Sequence, residues 1–235
     1  MSVYMIGVIG GVGFSRSDLF KDARIEEVET PYGKVNMMIM ERISFVPRHG
    51  LDRNIPPHKV DHKANLSAFK EKGIERIIAV NSAGSLNYEI APPAIMIPHD
   101  YVGLWDIATI HDDKIVHIVP GLDEGLRQAI LSFAEIYELG AIGSGIYIQT
   151  TGPRLETKTE VKMLGKFADI VGMTLANEAT IARELGLRYA SICSIDNYAN
   201  GITEEPLTNE MILENAKVNG DVIAEFLLKL VEELK

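Results

Sequence analysis

The stretch A-N-L-S-A-F-K-E-K-G-I-E-R-I-I-A-V-N-S-A-G-S, residues 64–85, decides the fold. Val60, Leu66, Ala68 and Phe69 draw an apolar stripe at helical spacing, which predicts a helix over 58–72 with Gly73 as its stop. Residues 76–80 then form a short apolar run that opens into the polar segment Asn81-Ser82-Ala83-Gly84-Ser85. A helix, a glycine stop and a buried strand ending in a polar loop is the repeating unit of an α/β fold. The same event recurs in both directions. Toward the N-terminus, strands are expected over 3–9, ending in Gly10-Gly11-Val12-Gly13, and over 34–41 and 43–47, the last ending in Arg48-His49. Toward the C-terminus, strands over 94–98, 115–119, 145–150, 170–173 and 189–195 alternate with helices over 122–139, 157–167, 178–185 and 208–234. Ligands of α/β folds bind beyond the carboxyl ends of strands, so the polar residues of these loops are the functional candidates.

The 235 residues fit one domain over 1–235, with no linker, repeat or low-complexity segment dividing them. Hydrophobic residues at 46% and charged residues at 24% are the balance of a chain that can bury a core without staples. A formal charge of −10 argues against nucleic acid or an anionic membrane as partner, since both ask for a basic patch. It does not exclude a small anion held by a few local arginines. The opening MSVYMIGVIGGVGF lacks the basic and long apolar regions of a signal peptide. No apolar stretch approaches the roughly 20 residues needed to span a bilayer, so a cytoplasmic protein is expected. Cys193 stands alone, which rules out an intramolecular disulfide and a cysteine-cluster zinc site. In its apolar run it reads as a buried, inert thiol, and no metal is expected.

Two constellations carry possible chemistry. Gly10-Gly11-Val12-Gly13 lacks the spacing of a dinucleotide fingerprint, and no acidic residue follows a second strand at the right distance. Its amides either line an anion site or the glycines simply permit a tight strand exit. The second is F-V-P-R-H-G, residues 45–50. A guanidinium fork beside an imidazole, directly after a strand, suits an oxyanion such as phosphate, the alternative being a solvated surface pair.

R-H-G (48–50), I-P-P-H-K-V (55–60), residues 64–80, G-S-L (84–86), T-G-P-R-L-E-T (151–157) and V-G-M-T-L-A-N-E-A (171–179) occur in one order along the chain. Together they resemble the methylthioadenosine phosphorylases, of the trimeric branch of the purine nucleoside phosphorylase superfamily. The resemblance implies a single three-layer α/β domain with a mixed, partly barrel-like sheet, assembled as a homotrimer or dimer of trimers with sites near subunit interfaces. It also implies a purine nucleoside and inorganic phosphate as substrates, with no organic cofactor or metal. By position, the family's phosphate site falls on Val12, Arg48, His49, Asn81, Ser82 and Thr174. Met173 falls at the ribose, Leu155 against the base, and Asn197, Tyr198 and Ala199 in the base-recognition loop. Asn197 and His49 take the catalytic roles. In the implied reaction phosphate attacks C1′ through an oxocarbenium-like state, and the purine leaves once a donor meets the charge growing on its ring.

The departures from the family pattern bear on substrate. Adenosine-type members carry aspartate, tyrosine, aspartate where this chain reads Asn197-Tyr198-Ala199. An amide can donate to a 6-oxo group and accept from N1–H, whereas an ionised carboxylate only accepts. Asn197 therefore points to a 6-oxopurine, unless a one-residue slip puts Asp196 in its place. Asn209 stands near the start of the last helix, where adenosine-type members place an apolar residue against the methylthio group. It suits a 5′-hydroxyl, or else Thr208 is only a helix cap with Asn209 in solvent. Val12 replaces a hydroxyl residue in the glycine turn, Asn81 a threonine, and Arg53 a histidine. His117 is a candidate for the residue lent across the interface, the alternative being a structural role. Besides 6-oxopurine phosphorolysis, three further readings stand: methylthioadenosine phosphorolysis, a hydrolytic nucleosidase, and a nucleoside-binding protein without turnover.

Overall fold

Near-continuous apolar runs become central parallel strands, because a strand covered on both faces has no polar side. β1 (Ile6–Gly10) and β4 (Ile43–Pro47) are buried along their whole length. The computed structural model describes residues 5–11 and 13–234, so the candidate Val12 lies outside the described residues. Beside these two strands run β2 (Arg24–Thr30), β3 (Gly33–Ile39), β5 (Arg76–Ser85), β6 (Ala94–Met96), β7 (Asp100–Gly103), β8 (Ile146–Gln149), β9 (Ile170–Gly172) and β10 (Arg188–Tyr198). The helices are α1 (His62–Glu71), α2 (Glu124–Ile136), α3 (Lys158–Leu164), α4 (Leu175–Glu184) and α5 (Asn209–Glu233).

The strands form one mixed sheet in the order β2-β3-β4-β1-β5-β9-β8-β7, with β10 on β5 and β6 on β10. β1 lies parallel to β4 and β5, and β10 parallel to β5. α1 and α4 bury Leu66, Phe69, Leu175 and Ile181 in one core cluster, while α2 and α5 bury Leu126, Ile130, Ile223 and Leu227 in another. Helices on both faces make three layers, and full burial of each such side chain stabilises by about 1.5–3 kcal/mol.

β5 is where the sheet forks. Gly7–Val8–Ile9–Gly10 pair with Ile77–Val80 on one edge, and that edge is then taken over by β9 at Gly84 and Ser85. Between the two partners, residues 81–83 of β5 face a gap that opens at the carboxyl end of β1. This break in strand pairing is the topological switch at which α/β sheets hold ligands. Among the described residues no pairing joins the outer strands β2 and β7, so the sheet does not close on itself.

Several expectations need correction. Residues 115–119 form no strand: Ile115 and Val119 are 89% and 79% exposed in an irregular loop. α1 starts four residues later than spacing suggests, because Pro56-Pro57 lead into a separate 3-10 turn and Asp61 caps the helix by accepting from the Ala64 amide at 2.8 Å. α4 starts three residues earlier, at Leu175. β5 and β10 each run several residues into segments rich in polar side chains. β2, R-I-E-E-V-E-T, is a charged edge strand with Ile25 and Val28 as its apolar residues, formed by hairpin pairing with β3 around Pro31-Tyr32.

Candidate functional site

A cavity of about 420 Å³ fills the gap beside β5. β1 exits into it through Gly11 and Gly13, β4 through Arg48 and His49, β9 through Met173 and Thr174, and β10 through Asn197 and Ala199. α5 covers it with Ile212, Leu213 and Ala216. Gly13 is required here: a Cβ would sit 2.9 Å from Ala216 Cβ and 3.0 Å from its carbonyl oxygen.

At one end of the cavity lies a buried polar network. Arg48 is 2% exposed, and its guanidinium holds the Glu178 carboxylate through Nε and through Nη2 at 3.0 Å. It also donates to the carbonyls of Val80 at 2.9 Å and Ile9 at 3.4 Å. One Nη1 hydrogen is left by these bonds, and Nη1 lies 3.2 Å from where a Cβ on Gly11 would be. Burial alone would raise the Glu178 carboxyl, but the adjacent Arg48 charge outweighs it and holds the group ionised below the usual range. Glu178 also accepts from Tyr189 at 2.8 Å. His62, buried with Nδ1 3.9 Å from Glu178, is pushed down to about 4 by burial and stays neutral.

Thr174 shows how that network presents a donor. It precedes α4 without capping it, and its Oγ1 accepts from Asn81 Nδ2 at 3.0 Å. The Thr174 hydroxyl hydrogen is therefore available to the cavity, beside the N-terminus of a helix whose dipole favours anions. His49 Nδ1 bonds the Ile55 carbonyl at 2.7 Å, and burial together with Arg48 lowers its pKa, which leaves Nε2 turned toward Gly11. Ser82 lines the cavity and donates its hydroxyl to Asp196.

The other end is made by β5 and β10. A β-bulge shifts their register so that Ile195 pairs with Ala83 and Asn197 with Gly84. Asp196 is the extra residue. It points away from the 420 Å³ cavity into a small chamber behind it, accepts from Ser82 and Ser194, and is raised to about 6 by burial. Of the two neighbours, Asn197 and not Asp196 lines the cavity. Asn197 lines the cavity, donates one Nδ2 hydrogen to the Tyr198 carbonyl at 2.8 Å, and packs against Gly84, where a Cβ would meet Nδ2 at 3.0 Å. Its second N–H and its Oδ1 have no bond among the described residues. Ala199, Met173 and Leu155 also line the cavity, Leu155 at its rim with 43% exposure.

Three expected side chains are elsewhere. Asn81 is fully buried, with Nδ2 on Thr174 and Oδ1 accepting from Ser191 at 2.7 Å, so its amide supports Thr174 and does not reach the cavity. Tyr198 turns outward to stack on Tyr88 with ring centroids 5.9 Å apart and donates to that residue's carbonyl. Asn209 is exposed at the first turn of α5, where Thr208 caps the helix by accepting from the Met211 amide at 3.3 Å. The wall that α5 presents is instead apolar. His117 is exposed in the 115–119 loop and does not line this cavity. Cys193 is buried and pushed up to about 12, an inert thiol. The sequence signal for Glu178, which falls outside the candidate residues, is a lone glutamate among Leu175, Ala179 and Ala182 on an apolar helix face.

Along β5 the step from Ser82 to Gly84 is two residues, roughly 6–7 Å at the rise of a strand.

A family model described as "Phosphorylase superfamily" matches residues 5–232. A protein of Archaeoglobus fulgidus named "Probable 6-oxopurine nucleoside phosphorylase" is 43% identical over 97% of this chain and 95% of its own length. One of Methanocaldococcus jannaschii named "Probable S-methyl-5′-thioinosine phosphorylase" is 38% identical over 97% of this chain and 91% of its own. Among solved structures, methylthioadenosine phosphorylase from Schistosoma mansoni in complex with adenine superposes with a TM-score of 0.87 at 27% identity, covering 97% of this chain and 91% of that one.

Proposed function

The chain belongs to the phosphorylase superfamily, and we propose on that premise that it cleaves 6-oxopurine nucleosides with inorganic phosphate. The carrying observation is Asn197, which lines the cavity with one N–H and Oδ1 unengaged while Asp196 faces away. That amide donates to O6 and accepts from N1–H of hypoxanthine or guanine. Phosphate sits among Gly11, Arg48, His49, Ser82 and Thr174, with Met173 beneath the sugar. Its oxygen bonds to C1′ as the C1′–N9 bond breaks, the oxocarbenium character between them being stabilised by the anion. The bonding pair leaves on the purine, and a proton taken up at N7 gives the free base and a sugar 1-phosphate.

The apolar α5 wall of Ile212 and Leu213, with Asn209 outside it, supports a methylthio group at C5′ alongside a hydroxyl. Methylthioinosine therefore joins inosine and guanosine as a substrate. No described helix is long and apolar enough to cross a membrane. Leu104, Trp105, Ile115 and Val119 are exposed around one loop and support assembly with further copies, as a homotrimer or dimer of trimers.

The test is base release from inosine, methylthioinosine and methylthioadenosine, with and without phosphate. The expected outcome is phosphate-dependent release with kcat/KM higher for either 6-oxopurine. Preference for methylthioadenosine would overturn the role of Asn197, and undiminished release without phosphate would make the protein a hydrolase.

A further inference from the structure

Resting on that phosphorolytic reading, we propose that Arg53 is a phosphate-binding residue that supplies the charge the rest of the cavity wall lacks. Four ionisable side chains line the cavity: Arg48, His49, Arg53 and Glu156. The Arg48 charge is opposed in direct contact by buried Glu178. His49 is a neutral imidazole near pH 7, lowered by burial and by Arg48. Glu156 adds a negative charge, its carboxyl accepting from Thr150 at 2.6 Å. Without Arg53 the wall and the Glu178 behind it are net negative, Arg48 standing against both Glu178 and Glu156, on a chain of formal charge −10. A phosphate dianion entering such a site is repelled, however well its oxygens are matched to donors.

Arg53 is placed to reverse this. It is the tip of a loop closed at its base by two bonds, Ile55 N–H to the His49 carbonyl at 3.1 Å and His49 Nδ1–H to the Ile55 carbonyl at 2.7 Å. A third bond, Arg53 N–H to the Gly50 carbonyl at 3.0 Å, fixes the turn, and Arg53 adopts φ 56°, a left-handed conformation unfavourable for any residue with a Cβ. The side chain is exposed and has no hydrogen-bond or ion-pair partner among the described residues. A long cationic arm thus rises from a collar whose anchor is His49, itself turned toward the glycine turn. Arginine is suited to the task, because its planar fork can meet two phosphate oxygens at once while its stem reorients.

Calorimetric titration of inorganic phosphate into the wild type, Arg53→Gln and Arg53→Lys, with steady-state kinetics on the same proteins, tests this. Arg53→Gln is expected to weaken phosphate binding and raise the phosphate KM by about tenfold. The nucleoside KM should stay within about twofold, Arg53→Lys should recover part of the loss, and added salt should weaken phosphate less in Arg53→Gln than in the wild type. Unchanged phosphate affinity in Arg53→Gln, or a shift confined to the nucleoside KM, would overturn the assignment. A wild type that releases base without phosphate would defeat the phosphorolytic reading instead, and the calorimetry would still decide whether Arg53 binds the anion.

Discussion

At the Arg48 end of the cavity the polar side chains set into its wall each rest on a group behind them. Arg48 is backed by Glu178, Thr174 by Asn81, Asn81 by Ser191, and His49 by the Ile55 carbonyl. At the other end, where we propose the base binds, Asn197 is held by a bond to the Tyr198 carbonyl and by contact with Gly84, and Leu155 in the same wall is 43% exposed. The difference teaches where the two kinds of specificity reside. Donors fixed in advance can hold an anion already charged in the ground state, and keep it in place for the reaction, without reorganising. A lightly held amide at an open rim can be replaced with little effect on the fold, so the choice of purine is the adjustable part.

If that contrast holds, the largest effect comes from the support at the anion end. Glu178→Ala leaves the buried Arg48 charge uncompensated and is expected to cost about 3–5 kcal/mol in urea unfolding, with phosphate-dependent turnover falling along with it. A smaller loss would mean that the network behind Arg48 is not what holds that end.

The next largest lies at the joint between the ends, where Asp196 holds Ser82. Its carboxyl rises from 3.8 to about 6 on folding through burial, which corresponds to roughly 3 kcal/mol. The native state therefore binds this proton more tightly than the unfolded chain does. Its contribution to stability is fully present below about pH 4 and is lost as pH rises through 6. The neutral His62, held at about 4, works in the opposite direction as pH falls. The difference in unfolding free energy between wild type and Asp196→Asn, followed from pH 4 to 8, isolates Asp196 and should change with pH mainly between 4 and 6. A constant difference would remove Asp196 from the pH response.

The smallest effect on the fold, and the most specific, belongs to the base end. Asn197→Asp is expected to move kcat/KM from inosine toward 6-aminopurine nucleosides by about ten- to a hundredfold, from about 1–3 kcal/mol of unmatched hydrogen bonding. The unfolding midpoint should stay close to that of the wild type. Unaltered base preference would mean that the amide does not touch the six-position.

What could be read from residues alone was set by where strands end. Arg48, His49, Ser82, Met173, Thr174 and Asn197 all line the cavity, because apolar runs announce strands and ligands gather past them. The positions of Asn81 and Tyr198 share one cause. β5 runs to Ser85 and β10 to Tyr198, past the apolar runs that end at 80 and 195, so strand alternation governs the polar residues beyond as well. Applied, it turns Asn81 inward and Ser82 to the cavity, and Asn197 to the cavity and Tyr198 outward. The bulge at Asp196 leaves no mark in composition, since it depends on pairing with a strand over a hundred residues away. Asn209 shares a helical face with Ile212, Leu213 and Ala216 but lies a turn beyond the cavity rim, a boundary that only packing defines. The exposed loop over 115–119 has the apolar residues of a strand with no edge to join.

The two-residue step of β5 between Ser82 and Gly84 acts as a ruler. Its length is set by covalent geometry and by pairing with β10 and β9, not by either ligand. The grip on the anion and the grip on the base can therefore be altered separately while the span between them keeps its calibration. A scaffold gauged in this way can exchange one purine for another by a few substitutions at one end, without rebuilding the centre where the bond is broken.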